Sequence, residues 1–360
     1  MADVKSTWNA RVTASPHLHE GSSTARIMIS VIVCLLPAGI WGVVIFGLHS
    51  LYVILASIAA SVVTEYVIAR LQRRFTLNDW SAVLTGLLIG YNMPPEIPIY
   101  VPVIASVFAI AVVKMAFGGL GRNWMNPALA GRVFVTFSWT GLMTSWKAPI
   151  SWGSDAVTGA SVLGFVKAGL MNFEGSVNGP VQFLAARGFP SGSLPEFLSP
   201  LGRWFPGRYG ALFVGNIPGC IGEVSALLLL LGSLYLFAKK IITWEIPVSY
   251  IGTFALMIWF LGGRPFGGAL FTGDVLFHLL AGGLLLGALY MATDMVSSPL
   301  TRRGMIIYGV GAGFLTFLIR IYGSFPEGVS LAIIIMNMFV PLINRATRPV
   351  VFGRVKEGKE

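Results

Sequence analysis

The chain has 360 residues, 55% of them apolar and only 11% charged, with a mean hydropathy of +0.76. A soluble domain carries about 25% charged residues, so this composition excludes an ordinary soluble enzyme. It also argues against a nucleic-acid-binding domain despite the net charge of +10, because the basic residues punctuate apolar segments, as orientation in a bilayer requires.

Residues 1–25 are polar and lack the basic, apolar, small-residue order of a cleavable signal peptide; they are expected to form a cytoplasmic segment. A membrane span needs about 20 apolar residues. Within residues 26–141, a first membrane repeat, the spans are Ile27–Leu48, Leu51–Ala69, Ile99–Phe117 and Trp124–Gly141. Between the second and third lies Trp80–Asn92, followed by Met93-Pro94-Pro95-Glu96-Ile97-Pro98. This short, glycine-bearing segment predicts a broken helix that ends inside the protein, where freed backbone groups can find partners.

Residues 142–216 form an extracytoplasmic segment, and residues 217–344 a second membrane repeat with spans Ile217–Ala238, Trp244–Leu261, Phe271–Met291, Met305–Ile321 and Val329–Ile343. Residues 345–360 are a basic tail. Counting crossings from a cytoplasmic N-terminus puts Arg70, Arg73, Arg74, Lys114, Arg122, Lys239, Lys240, Arg302, Arg303 and the tail on one side. Only Arg264 dissents on a short loop, and long loops escape the rule. Ten spans with both ends cytoplasmic follow. Cys34 and Cys220 have no metal-type spacing and read as buried apolar side chains.

The two halves repeat weakly. Thr85-Gly86-Leu87-Leu88-Ile89-Gly90 precedes the first break, and Gly282-Gly283-Leu284-Leu285-Leu286-Gly287 precedes Thr293-Asp294-Met295-Val296-Ser297-Ser298-Pro299. Five spans per half is an odd number, so the halves must be inverted relative to each other, with ligands expected near the midplane where broken segments meet. The fold expected is therefore an all-α polytopic membrane protein of about ten transmembrane helices in two inverted five-helix repeats with broken helices.

The outer segment holds Asp155-Ala156-Val157-Thr158-Gly159-Ala160-Ser161. As a bare turn, Asp155 could cap a helix. The order D-x-x-[ST]-G-A-[ST] is also the signature for flavin transfer, in which FMN is joined through its phosphate to the last hydroxyl. Gly159 and Ala160 admit a bulky donor, Ser161 is the acceptor, and Thr158 lies too early in the register.

With this motif, the chain resembles the D subunit of the Rnf electron-transport complex (ion-translocating ferredoxin:NAD oxidoreductase) and the related B subunit of the sodium-pumping NADH:quinone oxidoreductase. The resemblance extends through Phe117–Arg132, Pro94–Pro98 and Ala292–Thr301. The family acceptor is usually threonine, and serine keeps the required hydroxyl. The quinone-reducing relative has a longer N-terminal extension, which favours the D subunit. The resemblance implies covalent FMN at Ser161, a non-covalent riboflavin approached by Asn123 and Asn126, and partners that include membrane, covalent-flavin and iron–sulfur subunits. From the residues alone, Asn126 before Pro127 also reads as a helix cap.

Acids inside a membrane are costly, and each is a candidate for function. Glu65, Asp274 and Asp294 are the candidate ion path, with a buried pair, or for Asp294 a boundary pair with Arg302 or Arg303, as the structural alternative. His278 reads as a satisfied core histidine. No residue is assigned catalysis or a metal. The expectation is a redox subunit in a bacterial or archaeal cytoplasmic (inner) membrane, not a complete enzyme alone, coupled to Na⁺ or H⁺ movement. No G-x-G-x-x-G dinucleotide fingerprint occurs. The rival is a urea-type solute channel or transporter with an inverted repeat, which has no use for the Asp155–Ser161 motif.

Overall fold

The computed structural model describes residues 23–73, 76–149, 158–159, 161–170, 179–186, 209–266, 268–325 and 327–349. Asp155 and Ala160 therefore lie outside the described residues. The chain is an all-α polytopic membrane protein, and each of the ten expected spans contains helix.

In the first half, α1 spans Thr24–Phe46, capped by the Ser23 hydroxyl, and α2 spans Leu48–Leu71. Gly47 between them has φ of 94°, a turn few other residues adopt. The short α3 is Ser81–Tyr91. Helix α4, Tyr100–Phe108, runs on as a π-helical stretch, Ala109–Met115, and α5 is Pro127–Ser138. Next come α6 (Thr140–Met143), a two-residue antiparallel pairing of β1 (Trp146–Lys147) with β2 (Thr158–Gly159), α7 (Val162–Leu170), α8 (Pro180–Ala186) and α9 (Tyr209–Val214).

In the second half, α10 is Ala226–Ala238, α11 Glu245–Leu261, and α12 only Val275–Leu280. Helix α13, Leu284–Leu286, continues as a π-helical stretch, Gly287–Met291. Helices α14 (Arg302–Ile321) and α15 (Val329–Ala346) close the chain. Helices α1, α2, α14 and α15 are long and apolar enough to cross a membrane. Exposed Ile40 and Val44 on α1, Leu55 on α2 and Leu342 on α15 give these helices the apolar flank that lipid requires.

Corresponding helices pack alike. In the first half α2 lies on α3 and α4, and α4 on α5; in the second α11 lies on α12 and α14, and α14 on α15. The halves meet where α1 packs on α10 and α5 on α15.

The first break falls as expected. After Tyr91 the chain stays buried through Pro95. Two backbone N–H groups from the segment before α10 reach its carbonyls, Gly222 to Tyr91 at 3.0 Å and Ile221 to Met93 at 3.1 Å. Gly222 permits this approach, because a Cβ there would overlap the Tyr91 ring. The second break corrects the expectation. Phe271–Met291 is not one continuous helix, and the interruption comes at Ala281–Gly283 rather than first at Thr293. Gly282, at φ of 74°, breaks the run itself.

Candidate functional site

A cavity of about 410 Å³ opens between α1, α3, the N-terminus of α5 and the end of α13. Asn123, Asn126, Lys114 and Asp294 all line it. Pockets for drug-sized ligands run from roughly 300 to 1,000 Å³, so the cavity has the size of a small-molecule site. Gly118, Gly119 and Gly121, all at φ between 90° and 107°, turn the chain from the π-helical end of α4 toward α5.

Asn126 is the N-cap of α5. Its Oδ1 accepts from the N–H of Ala128 at 3.0 Å and of Leu129 at 3.3 Å, while Nδ2 donates to the Met291 carbonyl at 3.2 Å. The capping role is thus real, and the same side chain ties the two halves together. Asn123 differs. Its Nδ2 donates to the Met125 carbonyl at 3.1 Å, but its buried Oδ1 has no partner among the described residues. An acceptor without a donor on a cavity wall fits a ligand carrying an N–H edge.

Ser161 is buried at the N-terminus of α7, where its Oγ accepts from the Gly164 N–H at 3.1 Å. A helix N-terminus is a favourable place for a phosphate, so the residue suits a phosphoester. The adjoining space, walled by Gly282, Glu223 and Glu327, is about 10 Å³. It would take one water and no flavin ring. Thr158 and Gly159 form β2, paired with Lys147 and Trp146.

Helix α7 is anchored by Lys167. Its Nζ donates to the carbonyls of Phe325 at 2.8 Å, Arg320 at 3.0 Å and Ile319 at 3.3 Å. Burial, reinforced by the Arg320 guanidinium, lowers the Lys167 ammonium to about 8.

The candidate ion-path acids are all engaged. Glu65 accepts from Lys114 Nζ at 2.7 Å and from Thr76 Oγ1 at 2.9 Å, and Lys114 also donates to Ser81 Oγ at 2.6 Å. Asp274 caps α12 through the Phe277 N–H at 2.9 Å and accepts from the Tyr209 hydroxyl at 2.6 Å. Asp294 accepts from Ser297 Oγ at 2.8 Å and the Val296 N–H at 3.3 Å. It makes no ion pair among the described residues; Arg302 instead reaches Glu245 at 3.4 Å. His278 also departs from expectation, since it is buried with neither ring nitrogen hydrogen-bonded among the described residues. Cys34 and Cys220 are free and buried, as expected.

Sequence reasoning missed the densest polar cluster. Arg132 on α5 donates from Nη1 to Asn92 Oδ1 at 2.7 Å and Ser330 Oγ at 3.0 Å, and from Nη2 to Glu327 at 2.6 Å and Cys220 Sγ at 3.7 Å. Glu223 lies beside it, 3.9 Å from Nη1. The signal was present: Arg132 and Glu223 are charged residues inside apolar spans, the same rule that singled out Glu65.

The model of the family described as "NQR2, RnfD, RnfE family" matches residues 11–353. The D subunit of the proton-translocating ferredoxin:NAD(+) oxidoreductase complex of Clostridium ljungdahlii is 44% identical, over 95% of this chain and 96% of that one. The D subunit of the Na(+)-translocating counterpart from Acetobacterium woodii is 42% identical, over 98% of each. The D subunit of the ion-translocating oxidoreductase complex of Stutzerimonas stutzeri is 38% identical, over 94% of each. Two relatives of nearly equal similarity thus bear different ions in their names, so overall likeness does not select the ion.

Proposed function

The chain belongs to the NQR2, RnfD, RnfE family, and from that premise we propose that it is the flavin-carrying D subunit of an Rnf-type ferredoxin:NAD oxidoreductase complex in a prokaryotic cytoplasmic membrane. Its FMN is esterified at Ser161, and electron passage is coupled to movement of Na⁺ or H⁺. The observation that carries the covalent assignment is the hydroxyl of Ser161, last residue of the transfer signature, set at the N-terminus of α7. The FMN, when attached, supplies one-electron chemistry. The protein's part is to hold the phosphoester against α7, to lock α7 on α14 through Lys167, and to insulate the route with apolar helices.

The cavity at Asn123 supports a second, non-covalent flavin. Asn123 Oδ1 offers an acceptor to the ring edge, and Asn126 holds the two halves around it. Ferredoxin, NAD and the other complex subunits are read from the relatives' names, and nicotinamide binds elsewhere in such a complex. A solute channel would use the same architecture, but it has no use for Asp155–Ser161.

The test is denaturing-gel flavin fluorescence after expression with a flavin transferase. Wild type and Ser161→Thr are fluorescent, and Ser161→Ala is dark. Fluorescence surviving in Ser161→Ala overturns the attachment site, and an unmodified wild-type mass overturns the covalent flavin.

A further inference from the structure

Arg132 leaves Glu223 without a donor. Both Nη1 hydrogens go to Asn92 and Ser330, and both Nη2 hydrogens go to Glu327 and Cys220. Among the described residues, the one N–H that reaches Glu223 is the Cys220 amide, at 3.4 Å from Oε1, and Oε2 is buried with no hydrogen-bond partner. The residue is 4% exposed and lies within an apolar span, where one long ion pair to Arg132 at 3.9 Å compensates an anion poorly.

The neighbouring acceptor resolves this. A Glu223 oxygen, a Glu327 oxygen and the Cys220 sulfur lie within 4.8 Å of one another. Glu327 gives Oε2 to Arg132, and no donor among the described residues reaches its Oε1. Two carboxyl groups this close cannot both ionise at low dielectric, and one proton between them satisfies both. We propose that Glu223 and Glu327 form a proton-binding site at the junction of the two halves, with Glu223 the carboxylic acid that donates to Glu327.

Arg132, Cys220 and Lys167 are compatible with this proton, and among the described residues Arg320 is the one neighbouring charge that opposes it. Arg132 neutralises Glu327 from α5. The Cys220 thiol donates to the Asn92 carbonyl at 3.4 Å and adds no charge. Among the described residues Arg320 on α14 faces Gly282, makes no ion pair with either carboxyl group, donates from Nη1 to the His278 carbonyl, lies over the Phe254 ring, and has no hydrogen-bond partner for Nε or Nη2. Lys167 is held by three carbonyls. Sodium fits less well, because a thiol is a poor ligand for a hard cation and Arg132 lies 3.9 Å from the free oxygen.

The break glycines serve this site. A Cβ on Gly283 would overlap Glu223 Oε2, so a side chain there would push the carboxyl group aside. Ser161 lines the same small space as Glu223 and Glu327. The site therefore deepens the ion-coupling part of the function proposed above and does not depend on the flavin part.

The experiment is an acid-minus-alkaline infrared difference spectrum of the purified complex in H₂O and D₂O. Wild type shows a deuterium-sensitive carboxylic C=O band. Glu223→Gln, whose amide can still donate to Glu327, folds and loses that band completely. Gly283→Ala, which displaces the carboxyl group, loses it too. Persistence of the band in folded Glu223→Gln overturns the proposal. Sodium-induced shifts of carboxylate bands that vanish in Glu223→Gln, with no carboxylic band in wild type, overturn it in favour of a sodium site. Flavin fluorescence on the same samples separates the readings, because a lost band with flavin retained leaves the redox assignment untouched.

Discussion

Arg132 and Glu327 meet at 2.6 Å across the junction of the two halves, a guanidinium from α5 against a carboxylate just before α15. The pair is nearly buried, and it is the charged centre of a cluster that also holds Asn92, Cys220 and Ser330. Charge-assisted bonds of this kind fix geometry more firmly than neutral ones.

Arg132→Leu strands Glu327 and frees Asn92. Breaking a buried pair from one side costs about 3–5 kcal/mol, and thermal unfolding in detergent should report a loss of that order. Arg132→Lys should recover only part of it, because one ammonium cannot reproduce the planar two-sided fork. Wild-type stability in Arg132→Leu would show that the junction is held elsewhere.

The pair of Glu65 and Lys114 is more deeply buried, at 0% and 2% side-chain exposure. Glu65→Leu leaves Lys114 charged against apolar walls and should destabilise by about 3–5 kcal/mol. Glu65→Leu with Lys114→Met should restore most of the loss. A double variant as unstable as the single one would contradict a pairwise origin.

Gly222 is predicted to be intolerant for a steric reason. Ala there overlaps Tyr91, whose hydroxyl is fixed on the Leu35 carbonyl at 2.9 Å. Overpacking costs about 1–3 kcal/mol. Tyr91→Leu in the same chain should relieve it, which a melting series would reveal.

Lys167 carries a pH signature. Its folded value of about 8 lies below the ordinary 10.5, so between those values the unfolded chain binds more protons and stability rises with pH. The penalty for charging it is fully present below about 8 and is relieved toward 10.5. Lys167→Met should flatten that rise. It should also cost about 1–2 kcal/mol at neutral pH through the carbonyl bonds it loses. An unchanged pH slope would refute the shift.

Much of this was legible in the chain itself. Long apolar runs cannot be satisfied in water, so membrane residence and helical secondary structure followed directly. The proline-rich exit after Tyr91 announced a break, because proline lacks the N–H that would continue the helix. Asn126 before Pro127 announced a cap. The second break was misplaced because the Thr293–Pro299 stretch carries louder turn residues than Gly282-Gly283, whose meaning depends on the side chains packed against them, Leu163 on Gly282 and Glu223 on Gly283.

Sequence alone thus determined the solvent and the helical spans, since each depends on residues adjacent in the chain. Only the tertiary structure decided which buried charges meet. Lys114 finds Glu65 across 49 positions, and Arg132 finds Glu327 across 195. No local pattern encodes such partners, because they are selected by how helices pack. Folding also distinguished the acids that are already satisfied, Glu65, Asp274 and Asp294, from Glu223, whose free oxygen still requires a proton.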